Sequence, residues 1–220
     1  LDKAIRQAKT NENDAVIWRD LLRRVLTALE KGTPVREHVF EPREQSLLKA
    51  IHLITAKPVM YIANVAEDGE EQNALVERVV EYAGEQGAPV VTICATLEAE
   101  LAQLDPTDQT EYLEELGLAE PGLHRVIAAA YTLLGLQPFY TAGPQEVRAW
   151  TVTRGASAYD AAGEIHTDFQ RGFIRAEVIA FEEFIARNGE QGAKEAGVMR
   201  LEGKEYVLAN RDVIHFRFNV

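Results

Sequence analysis

Two short apolar runs, Lys57–Glu67 (KPVMYIANVAE) and Val90–Glu98 (VVTICATLE), constrain this chain more than any other feature. Each is apolar at successive rather than alternate positions and ends in polar residues. That is the pattern of a parallel strand covered on both faces, with a working loop at its carboxyl end. Between the runs, Glu70–Gly87 places Leu75, Val76, Val79, Val80 and Ala83 at helical spacing and closes on Gly84 and Gly87. The unit reads strand, helix, strand. Ligands in open α/β sheets gather at the carboxyl ends of the strands. Asn64, Val65, Ala66 and Glu67 therefore form one candidate loop, and Cys94, Ala95 and Thr96 its neighbour.

The flanks of this unit differ from each other. Ahead of it, Trp18, Leu21, Leu22, Val25, Leu26 and Leu29 recur every three or four residues, and Gly32 with Pro34 supplies a stop. Pro42 opens a second helical pattern with Leu47, Leu48, Ile51 and Ile54 as its stripe, so residues 1–55 read as a helical hairpin with solvated polar faces. After Cys94 come three helical stretches, Leu97–Leu104, Asp108–Leu116 and Gly122–Leu134. From Phe139 the texture changes. Val147–Val152, Phe173–Phe181 and Val213–Phe218 read as strands, with short helices near Tyr159–Ile165 and Glu182–Arg187, a small α+β module.

Charge narrows the function. The net charge is −12. Residues 1–136 hold 13 Lys and Arg against 23 Asp and Glu, while residues 137–220 hold 10 against 12. Global electrostatics thus oppose nonspecific binding to a phosphate backbone, and nucleic-acid contact needs a local basic face on the second half. Arg171, Arg175, Lys194, Arg200 and Lys204, interleaved with Phe173 and Tyr206, are the candidates for RNA. One cysteine, no membrane-length apolar run and no signal-like start lead to the expectation of a cytoplasmic protein. The chain begins at Leu1, inside a helix-like run, and reads as a fragment.

The Asn64–Glu67 loop lies where P-loop nucleotide-binding proteins place their base-reading motif. In the Asn-Lys-x-Asp form of that motif the Asp accepts two hydrogen bonds from guanine and the Lys stem covers the ring. Here Val65 replaces the Lys and the longer Glu67 the Asp, so guanine selectivity should weaken and adenine becomes admissible. Ala95 lies where the last base-contacting loop would offer backbone N–H groups, and Cys94 reads as a packed thiol rather than a nucleophile. His166 and Asp168 read as capping groups, not metal ligands. No G-x-x-x-x-G-K-[ST] occurs in these residues, so nothing here cradles the β- and γ-phosphates.

KPVMYIANVAEDG, ELGLAEPGLHRVI, FYTAGPQEVRAWTV, AAGEIHTDFQRGFIRAEVI, GEQGAKEAG and LEGKEYVLANRDVIHFRFNV together resemble the YchF family of Obg-related P-loop NTPases. The resemblance runs from about Ala56 to Val220. It implies an α/β fold, a partial P-loop NTPase domain with a helical, coiled-coil-like insertion, followed by a small α+β TGS domain of β-grasp type. The corresponding boundaries are 1–55 for the insertion, 56–136 for the carboxyl-terminal half of the nucleotide-binding domain and 137–220 for the TGS domain. It also implies ATP and GTP binding with Mg²⁺, ATPase activity and association with the ribosome, on its large subunit or its RNA. The family's altered base motif, Asn-x-x-Glu, falls on Asn64, Val65 and Glu67. Its catalytic and metal-binding segments have no matching positions here, so the chain alone should be inactive. Two other readings stand beside this one, a non-catalytic RNA- or protein-binding module and a conventional guanine-specific GTPase.

Overall fold

The computed structural model describes residues 13–67, 73–144 and 146–219. The chain divides into two compact units, residues 1–129 and 130–220. The division falls inside the helix Gly122–Leu133.

In the first unit α1 spans Asn13–Glu30 and buries Leu21, Val25 and Ala28. Leu21 and Val25 join Val35 and Leu48 in a small core, edged by Trp18, Phe40, Leu47 and Ile51. Leu26 and Leu29, expected in the stripe, are 42% and 37% exposed, so the helix buries a narrower face than its apolar content suggested. Gly32, at φ +74°, turns the chain so that Thr33 N–H reaches the Ala28 carbonyl at 2.9 Å. The second helix, α2 (Pro42–Lys49), starts with proline where a missing N–H is harmless, and Glu44 accepts the Glu41 N–H at 3.0 Å. It ends sooner than expected because His52 takes φ +54°. Ile54, read as part of its stripe, lies in a 3₁₀ turn at 81% exposure.

The strand-helix-strand unit is present. β1 (Tyr61–Asn64) and β2 (Val90–Ile93) pair in parallel, Tyr61 opposite Val90 and Asn64 opposite Ile93. Between them α3 (Ala74–Glu85) is capped by Asn73, whose side chain accepts the Leu75 N–H. Its expected first turn, residues 70–72, lies outside the described residues. Three helices follow, α4 (Ala95–Leu101), α5 (Pro106–Glu115) and α6 (Gly122–Leu133). Asp105 caps α5 through the Thr107 and Asp108 amides.

The second unit is built on a mixed sheet. Its strands are β3 (Leu136–Ala142), β4 (Val147–Thr153), β5 (Phe173–Ile179), β6 (Arg200–Glu202) and β7 (Val213–Phe218), in the order β4-β3-β7-β5-β6. β3 and β7 run parallel at the centre and the other pairs are antiparallel. The short helices are α7 (Ala158–Ile165), α8 (Thr167–Arg171), α9 (Phe181–Ala186) and α10 (Glu190–Glu195). Ala158, Ala161 and Ala162 are fully buried, so α7 lies close against the sheet. Phe139, Val152, Ala156, Phe173, Ala176, Val178, Leu208, Ile214 and Phe216 form the rest of that core. His166 caps α8 by accepting the Asp168 N–H at 3.2 Å, in line with the capping expectation. Among the described residues no helix is long and apolar enough to cross a membrane.

Candidate functional site

The carboxyl ends of β1 and β2 bring two of the expected site residues into contact. Val65 N–H donates to the Ile93 carbonyl at 2.9 Å, which carries the ladder one residue past β1. The Asn64 side-chain oxygen then accepts the Ala95 N–H at 3.0 Å. Ala95 opens α4, and the preceding residue, Cys94, offers its helix no side-chain cap. Asn64 therefore supplies from another strand the acceptor that a local capping residue would give. With its oxygen spent, its amide N–H₂ remains as a donor at the mouth between the two strands.

Val65 is half-buried beside this junction, while Asn64, Glu67 and Ala95 are exposed. Glu67 does not close onto Asn64 or Ala95 through any hydrogen bond among the described residues. Its charge acts instead on Tyr112 of α5. Tyr112 donates to Glu100 Oε2 at 3.2 Å. That bond holds the phenol above its ordinary pKa, helped by desolvation and by the charges of Glu100, Glu67 and Glu115. This rim repels a phosphate chain. A purine edge, which presents N–H donors, is the better match to a carboxylate there.

Sequence reasoning missed Glu98. Its two carboxylate oxygens accept the Gly122 and Leu123 N–H groups at 2.7 and 3.0 Å, clasping the start of α6. Arg125 of the same helix donates to the Thr92 carbonyl at 3.1 Å. A Cβ at position 122 would come within 2.7 Å of Glu98 Oε1 and 3.0 Å of Ile93 Cγ2, so a larger residue there would displace the clasping carboxylate. The available signal was the Glu120-Pro121-Gly122 start, a helix opening without Ser, Thr, Asp or Asn to cap it.

The five basic candidates of the second unit do not share one surface. Arg175 faces the same side of the sheet as Arg217, its partner across β5 and β7. Arg200 lies opposite Val178, on the alternate face, where α7 covers the core. Arg200 sits 5.1 Å over the Tyr206 ring and donates to its hydroxyl at 2.9 Å, and the Lys204 ammonium is 5.2 Å from the Tyr159 ring. Those two cations form an aromatic-backed pair. Arg171 and Lys194 are exposed on α8 and α10.

Beneath that pair lies a buried network. Asp212, 2% exposed, accepts from Tyr206 Oη at 2.8 Å and from the Ala209 N–H at 2.9 Å, with Arg200 3.6 Å away. Burial, followed by the bond to Asp212, pushes the Tyr206 phenol up. On the opposite face Glu177, 6% exposed, accepts two bonds from Arg217 at 3.0 and 2.9 Å. That pairing holds its carboxyl below the usual range.

Among the described residues Glu177, Glu190 and His215 are the one group of three potential metal ligands. The bidentate Arg217 already neutralises Glu177, and Arg175 lies 3.4 Å from it. This donor set suits an ion-pair cluster rather than Mg²⁺, and it contains no group that would bridge nucleotide phosphates.

A two-stranded parallel α/β unit with a helical segment, and a separate five-stranded mixed sheet, define a two-unit mixed α/β protein. Residues 136–219 match the family described as YchF-GTPase_C, Protein of unknown function (DUF933). The "Ribosome-binding ATPase YchF" of Haemophilus influenzae is 51% identical over 215 residues, 98% of this chain and 59% of that protein. Its Bacillus subtilis counterpart is 49% identical over 216 residues, 97% of this chain and 59% of that protein. The structure of the Schizosaccharomyces pombe YchF GTPase superposes with a TM-score of 0.78 at 28% identity, covering 95% of this chain and 55% of that one. The chain belongs to the YchF family, and it spans about three fifths of the length of the curated relatives it matches.

Proposed function

We propose that this chain supplies the base-recognition side and a ribosome- or RNA-contacting unit of a ribosome-associated, ATP- and GTP-binding P-loop ATPase. The observation that carries the reading is the Asn64–Ala95 bond, which ties the two loops at the carboxyl ends of paired parallel strands. Asn64 would present its amide to a purine nitrogen, Glu67 would accept from an exocyclic amine, and Val65 would pack against the ring. A purine nitrogen common to both bases does not discriminate between them, and Glu67 lacks the short reach of an Asp. Both points agree with relatives that carry ATPase and GTPase in their names. Mg²⁺ would be required with the nucleotide in the longer protein, and no group among the described residues fits as its ligand.

The second unit supports the other half of the proposal. Its strand order, with first and last strands parallel at the centre, is that of a β-grasp fold and favours the TGS reading. Arg200 and Lys204, held over Tyr206 and Tyr159, are the preferred contacts for ribosomal RNA, and Arg171, Arg175 and Lys194 are secondary ones.

Calorimetric titration of ATP and GTP with Mg²⁺ tests the base site, using this chain and a full-length YchF relative. The relative should bind both nucleotides and this chain neither. The Asn64→Ala change at the matching position should weaken both by about tenfold, the loss of one good hydrogen bond. Tight binding by this chain alone, or strong guanine preference with Glu67 in place, would overturn the proposal. Cosedimentation with ribosomes, with and without Arg200→Ala and Lys204→Ala, tests the second half.

A further inference from the structure

The helical segment of the first unit holds two cavities that share a wall. One, of about 830 Å³, is lined by Val35, Arg36, His38, Val39 and Phe40, by α2 and by the turn that follows it. The other, of about 350 Å³, lies along α1. His38 and Phe40 line both. Arg36, Lys49 and Lys57 line the larger cavity, and Arg23, Arg24 and Lys31 the smaller. No Asp or Glu lines either one, although residues 1–136 carry ten more acids than bases. Glu44 pairs with Arg24 at 2.6 Å and holds the Glu41 N–H. A positive basin therefore sits in the most negative part of the chain.

The floor of the larger cavity identifies what that charge attracts. It is aliphatic, with Leu48 and Leu53 below and Val39 standing 90% exposed at the mouth. The one aromatic ring, Phe40, has the Arg24 guanidinium over its face at 5.1 Å and the His38 ring tilted against it at 6.3 Å. The Phe40 ring is thus already engaged by Arg24 and His38, and nucleic-acid interfaces are polar rather than aliphatic at their centre. An apolar centre inside a charged rim is the arrangement of a protein-protein contact.

We infer that this double cavity docks an acidic segment of a partner protein. The segment's apolar side chains enter between Val39 and Leu53, and its carboxylates pair with the rim cations other than Arg24, which Glu44 already holds. The lining of the double cavity shares no residue with the base loop.

Fluorescence anisotropy with a labelled Leu-Glu-Glu repeat peptide provides the test, with a Leu-Lys-Lys repeat and an oligouridylate as competitors of different chemistry. The acidic peptide should bind and the other two should not. Lys49→Glu with Lys57→Glu should weaken it by about tenfold and flatten its salt dependence. Val39→Ser should weaken it by about fivefold, from lost apolar burial. All three positions are exposed, so circular dichroism should find the fold unchanged. Oligouridylate binding that the same charge reversals abolish would make this a nucleic-acid site. Equal binding of acidic and basic peptides, or none of the acidic one, would remove the site altogether.

Discussion

The two units bury their apolar residues in different ways. In the second, twelve buried residues close into one core around Phe139, which meets Trp150 and Phe216 at ring-centroid distances of 6.4 and 6.1 Å. In the first, the principal buried cluster holds four residues, Leu21, Val25, Val35 and Leu48, and belongs to the helical segment. Around the parallel strand pair, Ile62, Leu75, Val80, Leu123 and Ile127 are 48–67% exposed. A five-stranded sheet covered by helices satisfies its apolar face within its own unit. A two-stranded parallel pair has too few neighbours to do so. The strand pair of the first unit is instead tied at its ends by polar clasps, Asn64 to Ala95 and Glu98 to Gly122.

Substitution at the centre of the larger core should separate the units most clearly. Phe139 is fully buried, and Phe139→Ala should cost about 3–5 kcal/mol through lost burial and a residual cavity. Trp150 lies in the second unit and Trp18 in the first, so each reports on its own unit in denaturant. The Trp150 transition should fall while that of Trp18 stays. If both move together, the units unfold as one and the contrast fails.

A polar change in the same unit comes next in size. Tyr206→Phe removes a donor to the buried Asp212 and should cost about 1–3 kcal/mol, the desolvation penalty of an acceptor left short of a partner. Acid should act on the opposite face. Glu177 has its carboxyl held below the unfolded value of about 4.3, so its contribution is complete above that pH and fades as pH falls through the folded value. Arg217→Met should remove this stretch of the pH profile, and a Trp150 transition with unchanged acid dependence would show that the pair contributes nothing.

In the first unit the clasp predicts a smaller loss. Glu98→Ala strips two acceptors from the start of α6 and should cost about 1–2 kcal/mol, as removal of a helix cap does. Hydrogen exchange at Gly122 and Leu123 should speed up ahead of the rest of the helix. Unchanged exchange would mean that packing, not the carboxylate, fixes this turn.

The elements that sequence revealed are those whose signals are local. Val213–Phe218 is rich in β-branched and aromatic residues and forms β7 over the same residues, and Pro106 and Pro42 sit at helix starts as their missing N–H groups require. β3 was less legible. Gln137 and Pro138 interrupt its apolar run, and Gln137 is buried only because its amide donates to the Leu208 carbonyl, 71 residues away. β6 is three residues long, with Arg200 and Leu201 exposed, and carries no pattern of its own. At the base site, the loops and the pairing of their strands followed from the apolar runs. The bond that joins Asn64 to Ala95 did not, because it depends on register, and Glu98 escaped because its partners are 24 and 25 residues on.

The smallest expected change in stability tests the open side of the first unit. Leu75 and Val80 are 67% and 50% exposed on α3, so Leu75→Gln with Val80→Lys removes apolar surface already facing water. Such changes should move the Trp18 transition by less than about 0.5 kcal/mol. They should nevertheless lower the binding of a hydrophobic fluorescent dye, because the exposed apolar patch shrinks. The matched control is Ile174→Gln with Leu201→Gln in the second unit, where two residues at 58% and 62% exposure flank a closed core. A dye signal that falls equally in both would mean that scattered surface residues, rather than the incompletely covered strand pair, bind the dye. A fall confined to the first unit would place the unmet apolar surface on the strand pair and α3, beside the loops that carry Asn64 and Glu67.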